Sequence, residues 1–162
     1  MTRTSLILLL LAAAGGVIGF PQQPSNLKQC EDLAVVVNSK NAAHDLSMSE
    51  LRNIVVGQRK FWKNRVPITV VVREPGTREY DALITKVLRM DDNSFRALWS
   101  GKKFRGEVGA EPLVVSSENM AMQYVLSSPG AISFVTAKDV VPDVKILMID
   151  GKWPGQTGYP LR

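Results

Sequence analysis

Apolar positions along this chain change their period several times, and each change marks an element. Leu51, Ile54 and Val55 share one helical face, and Ser47 with Glu50 before them has the spacing of a capping box, in which hydroxyl and carboxylate each satisfy a backbone N–H. Gly57 is placed to end that helix. Residues 68 to 72, Ile-Thr-Val-Val-Val, are rich in β-branched side chains and predict a strand with little exposed face. Tyr80, Leu83, Ile84, Val87 and Leu88 then follow the i, i+3, i+4, i+7, i+8 pattern, which predicts a helix over 78 to 89 that buries this stripe. Asp91-Asp92-Asn93 can start another helix with Phe95, Leu98 and Trp99 inward. The three glycines and one proline of 101 to 113 predict a loop. Ser116 or Ser117 can cap a helix running through Met120, Tyr124 and Val125 to Ser128, which Pro129-Gly130 stops. Strands near 131 to 136 and 144 to 149 complete the alternation. The chain therefore reads as α/β, with a mixed sheet flanked by helices.

The strand at 68 to 72 runs into Arg73, then into Gly76 and Thr77 at the start of a helix. A strand feeding a glycine turn at a helix N-terminus presents free N–H groups and the positive end of the helix dipole, which suits a bound anion. Any α/β fold also needs such turns, so the arrangement is open to a structural reading too.

The order of these pieces resembles the phosphate-binding proteins of phosphate ABC importers, within the periplasmic-binding-protein-like superfamily. The resemblance runs from about Leu33 to the end. It is carried by Leu33 to Asn38 (LAVVVN), by Leu46 to Ile54, by Val56-Gly57-Gln58 leading to Trp62, and by Val70-Val-Val-Arg73. Further along it rests on Pro129 to Val135, Asp150 to Pro154, and Gly158-Tyr-Pro-Leu-Arg162. The resemblance implies a strand between lobes at Leu33 to Asn38 and an inward-packed ring at Trp62. It also places part of a phosphate site on this chain: Arg73 as charge partner, Thr77 and the amides near Gly76 as hydrogen-bond donors, and Arg78 beside them. The family has a glycine-serine-glycine-threonine turn here, whereas this chain continues from Gly76-Thr77 to Arg78-Glu79, without the second glycine and the hydroxyl after it. The implied architecture is a single lobe over 33 to 162, because 162 residues suit one compact domain better than a two-lobed clamp.

Ahead of that lobe, Arg3 precedes an uncharged run from Thr4 to Phe20, with leucines at its centre and small residues behind them. Residues 1 to 20 read as a secretory signal peptide, with a membrane anchor as the competing reading, and 21 to 32 as a linker. The expected location is periplasmic or secreted after cleavage, with contact to the membrane only through an uncleaved signal segment. Arg3 is the one charge in that segment, leaving 19 Lys and Arg against 15 Asp and Glu, a mild preference for anionic partners. The cations concentrate at 59 to 65 and 102 to 105, interleaved with aromatics. Such interleaving can bind nucleic acid, but an export signal argues against that partner and for a solvated basic face.

One histidine and one cysteine cannot assemble a His/Cys metal site within the chain, and His44-Asp45 has no nucleophile at a recognisable spacing. Lone Cys30 implies a free thiol or an intermolecular bridge. No phosphate-cradling or dinucleotide glycine loop occurs, and no cofactor is called for. The expected function is non-catalytic recognition of a small oxyanion, phosphate or similar, in connection with ABC import, with an ABC permease or another envelope protein as the candidate partner. The alternative is an envelope interaction module that keeps the lobe without the ligand.

Overall fold

A computed structural model describes residues 27 to 107 and 111 to 162. The segment expected to be a signal peptide and the start of the linker lie outside the described residues. The elements are β1 (Leu33–Asn38), β2 (Asp45–Leu46), α1 (Met48–Val55), β3 (Thr69–Arg73), α2 (Arg78–Ala82, continued to Leu88 by a wider π-helical turn), α3 (Asp92–Phe104), β4 (Leu113–Val115), α4 (Glu118–Ser127), β5 (Ala131–Thr136), β6 (Val144–Ile146) and β7 (Met148–Ile149). Five strands form one sheet in the order β4-β3-β5-β1-β6. β3 is parallel to β4 and β5, while β1 is antiparallel to β5 and β6. The mixed sheet with flanking helices expected of the α/β lobe is present.

Alternation along the strands divides the core in two. Val35, Val37, Val70, Val72, Ile132 and Phe134 face one layer, with Leu51, Ile54, the α2 stripe, Phe95 and Trp99. Ala34, Val36, Val71, Ala131 and Val135 face the other, with Ala121, Met122 and Val125 of α4. Every residue of β1 and β5 is buried. That is why their sequences are mostly apolar on both faces, and the polar exceptions are bonded inside: Ser133 donates its hydroxyl to the Val71 carbonyl at 3.0 Å and Asn38 its amide to the Val125 carbonyl at 2.9 Å.

Local chemistry places the helix ends where the sequence predicts them. Ser47 and Glu50 form the capping box at α1, and Gly57 follows its end with φ +70. Asp91 accepts from Ser94 N–H at 2.7 Å to start α3, and Ser117, not Ser116, caps α4. Trp62 is buried and donates its Nε1–H to the Gly130 carbonyl at 3.0 Å. A Cβ at Gly130 would lie 2.0 Å from the Pro67 carbonyl, so this close approach between loops requires glycine.

Two expectations need correction. Residues 101 to 104 are the last turn of α3 and not loop. Gly101 is tolerated in mid-helix, Lys102 and Lys103 complement the helix dipole, and Gly106 at φ +67 provides the stop. The single strand over 144 to 149 is two strands: Leu147 breaks the run, and β7 pairs with β2 in a separate small sheet. Residues 27 to 32, within the expected linker, lie against the lobe, since Lys138 N–H donates to the Cys30 carbonyl and Ala137 N–H to that of Asp32. No described helix is long and apolar enough to cross a membrane.

Candidate anion-binding site

The parallel strands β3, β4 and β5 all end on one edge of the sheet, at Arg73, Val115 and Thr136. Open α/β sheets bind ligands outside such carboxyl ends. Two helices start there, α2 after its cap Thr77 and α4 after its cap Ser117. Their first turns bring Glu79 and Glu118 to the same place, where helix dipoles favour negative charge.

Arg73 sits under this edge with its side chain 13% exposed. Its Nε lies 3.9 Å from Oε2 of Glu79, whose side chain is 12% exposed. At that separation the pair is an electrostatic contact without a hydrogen bond, and Nε and Nη1 of Arg73 are both buried with no hydrogen-bond partner among the described residues. Thr136 ties the carboxylates together: its hydroxyl donates to Glu79 Oε1 at 2.9 Å and its N–H donates to Glu118 Oε1 at 3.1 Å. Burial pushes the Glu118 carboxyl above its ordinary value. The Thr136 N–H opposes that shift, while the nearby Glu79 and Asp139 charges add to it. Glu118 therefore holds its proton more readily than an exposed glutamate, and Glu79 is the carboxylate in contact with Arg73.

The other sequence-predicted site residues are engaged differently. Thr77 accepts from Tyr80 N–H and donates its hydroxyl to the Glu74 carbonyl at 2.8 Å, so its oxygen serves the turn and the helix cap. Its own N–H also bonds to the Glu74 carbonyl. Gly76 adopts φ +85 with open space where a Cβ would stand. Arg78 turns away toward the N-terminal segment, pairing with Glu31 at 2.5 Å beside Lys138, which holds the same carboxylate. Of Arg73, Gly76, Thr77 and Arg78, only Arg73 reaches the carboxylate cluster through a side-chain contact that the structure shows.

Sequence reasoning missed Glu79, Glu118 and Thr136 as members of this cluster. Glu79 was visible as the residue standing where the resembling family has a hydroxyl. The other two carried only their places, one after a helix cap and one at a strand end. No group of three or more His, Cys, Asp or Glu able to hold a metal ion occurs among the described residues.

No family model matches the chain. In sequence it is similar to the phosphate-binding protein PstS of Bacillus subtilis, 31% identical over 123 residues, which is 75% of this chain and 37% of that protein. In structure it is similar to PstS of Borrelia burgdorferi (TM-score 0.64, 15% identity, covering 80% of this chain and 53% of the other). It is also similar to a phosphate ABC transporter substrate-binding protein with bound phosphate from Clostridium perfringens (TM-score 0.62, 20% identity, 76% and 46%). An ABC-type phosphate transport receptor from Vibrio cholerae gives a TM-score of 0.61 at 23% identity, covering 75% and 47%. The chain spans about half the length of these relatives, or less. Sequence and fold together make the chain similar to about half, or less, of a phosphate ABC transporter substrate-binding protein.

Proposed function

We propose that this chain recognises a small oxyanion, phosphate first, at the Arg73 end of β3, and that its own Glu79 carboxylate competes for the same guanidinium. The reading makes it a non-catalytic solute-binding-like lobe working in the periplasm or outside the cell, in connection with an ABC permease. What supports it most is Arg73: a buried guanidinium with two nitrogens that make no hydrogen bond among the described residues, at the carboxyl ends of parallel strands. A tetrahedral oxyanion would supply those donors with acceptors, and a planar guanidinium suits bidentate contact. The named relatives bind phosphate or serve phosphate transport, which makes phosphate the first ligand to test.

The competition sets the affinity. An incoming anion must displace Glu79 from Arg73 or share the site with its charge, and like charges at short range oppose each other. Binding should therefore be no tighter than high micromolar, under about 6 kcal/mol. Titration calorimetry with phosphate at low ionic strength, with chloride as control, should show a weak saturable isotherm that Arg73→Met removes. Glu79→Thr, which restores a hydroxyl at that position, should tighten it about tenfold or more, the size expected when one close repulsive charge is removed.

A second reading follows from the same cluster. Two carboxylates at the anion position are what a lobe would carry if it had become a ligand-free interaction module, with Glu79 standing in permanently for the ligand. A flat phosphate trace for both the natural chain and Glu79→Thr favours that module.

A further inference from the structure

The carboxyl edge of the sheet gathers more acid than Arg73 balances. Thr136, only 5% exposed, is the common partner: its hydroxyl serves Glu79 and its N–H serves Glu118, so carboxyls from two helices meet on one residue. Glu79 is the one carboxylate within ion-pair distance of Arg73 among the described residues, and Asp139, just past β5, adds a third acid whose charge reaches Glu118. The neighbouring cations are engaged elsewhere. Arg78 and Lys138 both hold Glu31, Arg162 lies 3.9 Å from Asp32, and Lys86 stands exposed on the outer side of Glu79. Glu74, which follows β3, is exposed, and Lys145, the charged residue of β6, bonds to the Asn41 carbonyl beyond the opposite end of the sheet.

An anion that docks on Arg73 brings further negative charge to this cluster, and Glu118 is the acid placed to answer it. It is half-buried and bonded to Thr136, with no ion-pair contact to Arg73. Burial first, with the Glu79 and Asp139 charges adding to it, already pushes its carboxyl above the ordinary value, and a proton there lies within hydrogen-bonding reach of Glu79. Added negative charge nearby raises it again. A protonated carboxyl keeps an acceptor oxygen, so the bond from Thr136 N–H survives the change.

We propose that oxyanion binding at Arg73 is coupled to uptake of one proton by Glu118, so that the site fills more readily as pH falls. The proton comes from solvent, forms the O–H of Glu118, and leaves when the anion leaves. This rests on the oxyanion reading given above and adds its regulation. The sign follows from linkage: affinity is highest where Glu118 is protonated in the free site, and it falls as pH rises toward the value Glu118 has in the occupied site, by at most about tenfold per pH unit for one proton.

The test is calorimetry of the full chain with inorganic phosphate, in buffers of different ionisation enthalpy, which counts the protons taken up per anion. Glu118→Gln is the reference, since phosphate's own ionisation still shows there while position 118 cannot titrate. Between about pH 5 and 7 the natural chain should take up more protons than Glu118→Gln, by up to about one per anion. Glu118→Gln should bind phosphate about threefold tighter or more at the upper end of that range, and the two chains should converge toward the lower end. Saturable binding with equal proton counts in both chains would overturn the linkage and leave the oxyanion site standing. No binding in either chain at any pH would overturn the oxyanion reading and the linkage with it. Should Glu118→Gln lose its cooperative melt, the carboxyl carbon resonance of Glu118 in the natural chain decides: added phosphate should move its titration midpoint upward, and an unmoved midpoint under saturating phosphate overturns the proposal.

Discussion

The N-termini of α1 and α2 carry the same residue classes, a hydroxyl cap followed within one turn by glutamate, yet the two glutamates do opposite things. At α1, Glu50 turns back on its own helix: Oε2 accepts from Ser47 N–H at 3.0 Å, and Oε1 pairs with Arg59 at 3.2 Å. At α2, Glu79 comes one position earlier than a capping box requires, leaves the cap to Thr77, and reaches across to Thr136 and Arg73. The first arrangement is local and half-exposed, and sequence spacing suffices to find it. The second is tertiary and buried, joining neighbouring β3 and α2 to Thr136 of β5, 57 residues beyond Glu79. A carboxylate near a helix start is thus a capping group when its spacing lets it close on itself, and a group available for other chemistry when it does not.

Substitutions should separate the two regions sharply. The largest effect belongs to Arg73→Met, which leaves Glu79 under the sheet edge without its cation. Breaking a buried pair by removing one partner costs about 3 to 5 kcal/mol, and the long 3.9 Å contact puts the expectation at the lower end. Urea unfolding should show it as a fall in midpoint at constant slope. Ser47→Ala, which removes the α1 cap, should cost about 1 kcal/mol by the same measurement. A loss at Ser47 as large as that at Arg73 would erase the distinction between local and tertiary carboxylates.

The smallest effect is in the pH dependence, where the two regions should differ in sign. Glu118 has its folded pKa raised above the ordinary 4.5, chiefly by burial. Its contribution is fully present below that value and is lost as pH rises toward the folded one. Glu50 has its folded pKa lowered from 4.5 by the Ser47 N–H and hydroxyl, so its contribution is present above that value and lost as pH falls. Glu118→Gln should therefore flatten the decline in stability as pH rises from about 4.5 upward, and Glu50→Gln should flatten the decline on the acid side. Unfolding midpoints measured across that range check both signs.

Much of the fold was legible because its signals are short in range. The period-3.6 stripe from Tyr80 to Leu88, the β-branched run before Arg73 and the caps at Ser47, Asp91 and Ser117 act within a few residues. The C-terminal turn of α3 was hidden because Gly101 reads as a breaker, although a helix already capped at Asp91 and packed through Phe95 and Trp99 carries it. The site was legible only in part. Arg73 was found from its place at a strand end, whereas Glu118 and Thr136 join it through the parallel register of β3 and β5 and the packing of α4. Neither leaves a mark in local pattern. Arg78 stood beside the turn in sequence but faces the other way, held by Glu31.

The central claim is that Glu79 occupies the anion side of Arg73, and a double-mutant cycle on these two residues tests it most directly. Arg73→Met, Glu79→Gln and the double variant are unfolded in urea and their free energies compared. Direct partners in a buried pair should give a coupling energy of about 1 to 3 kcal/mol, with the double variant more stable than the sum of the single losses allows. Additive losses, within about 0.3 to 0.5 kcal/mol, would contradict the account, since Glu79 would then not be the group that Arg73 faces.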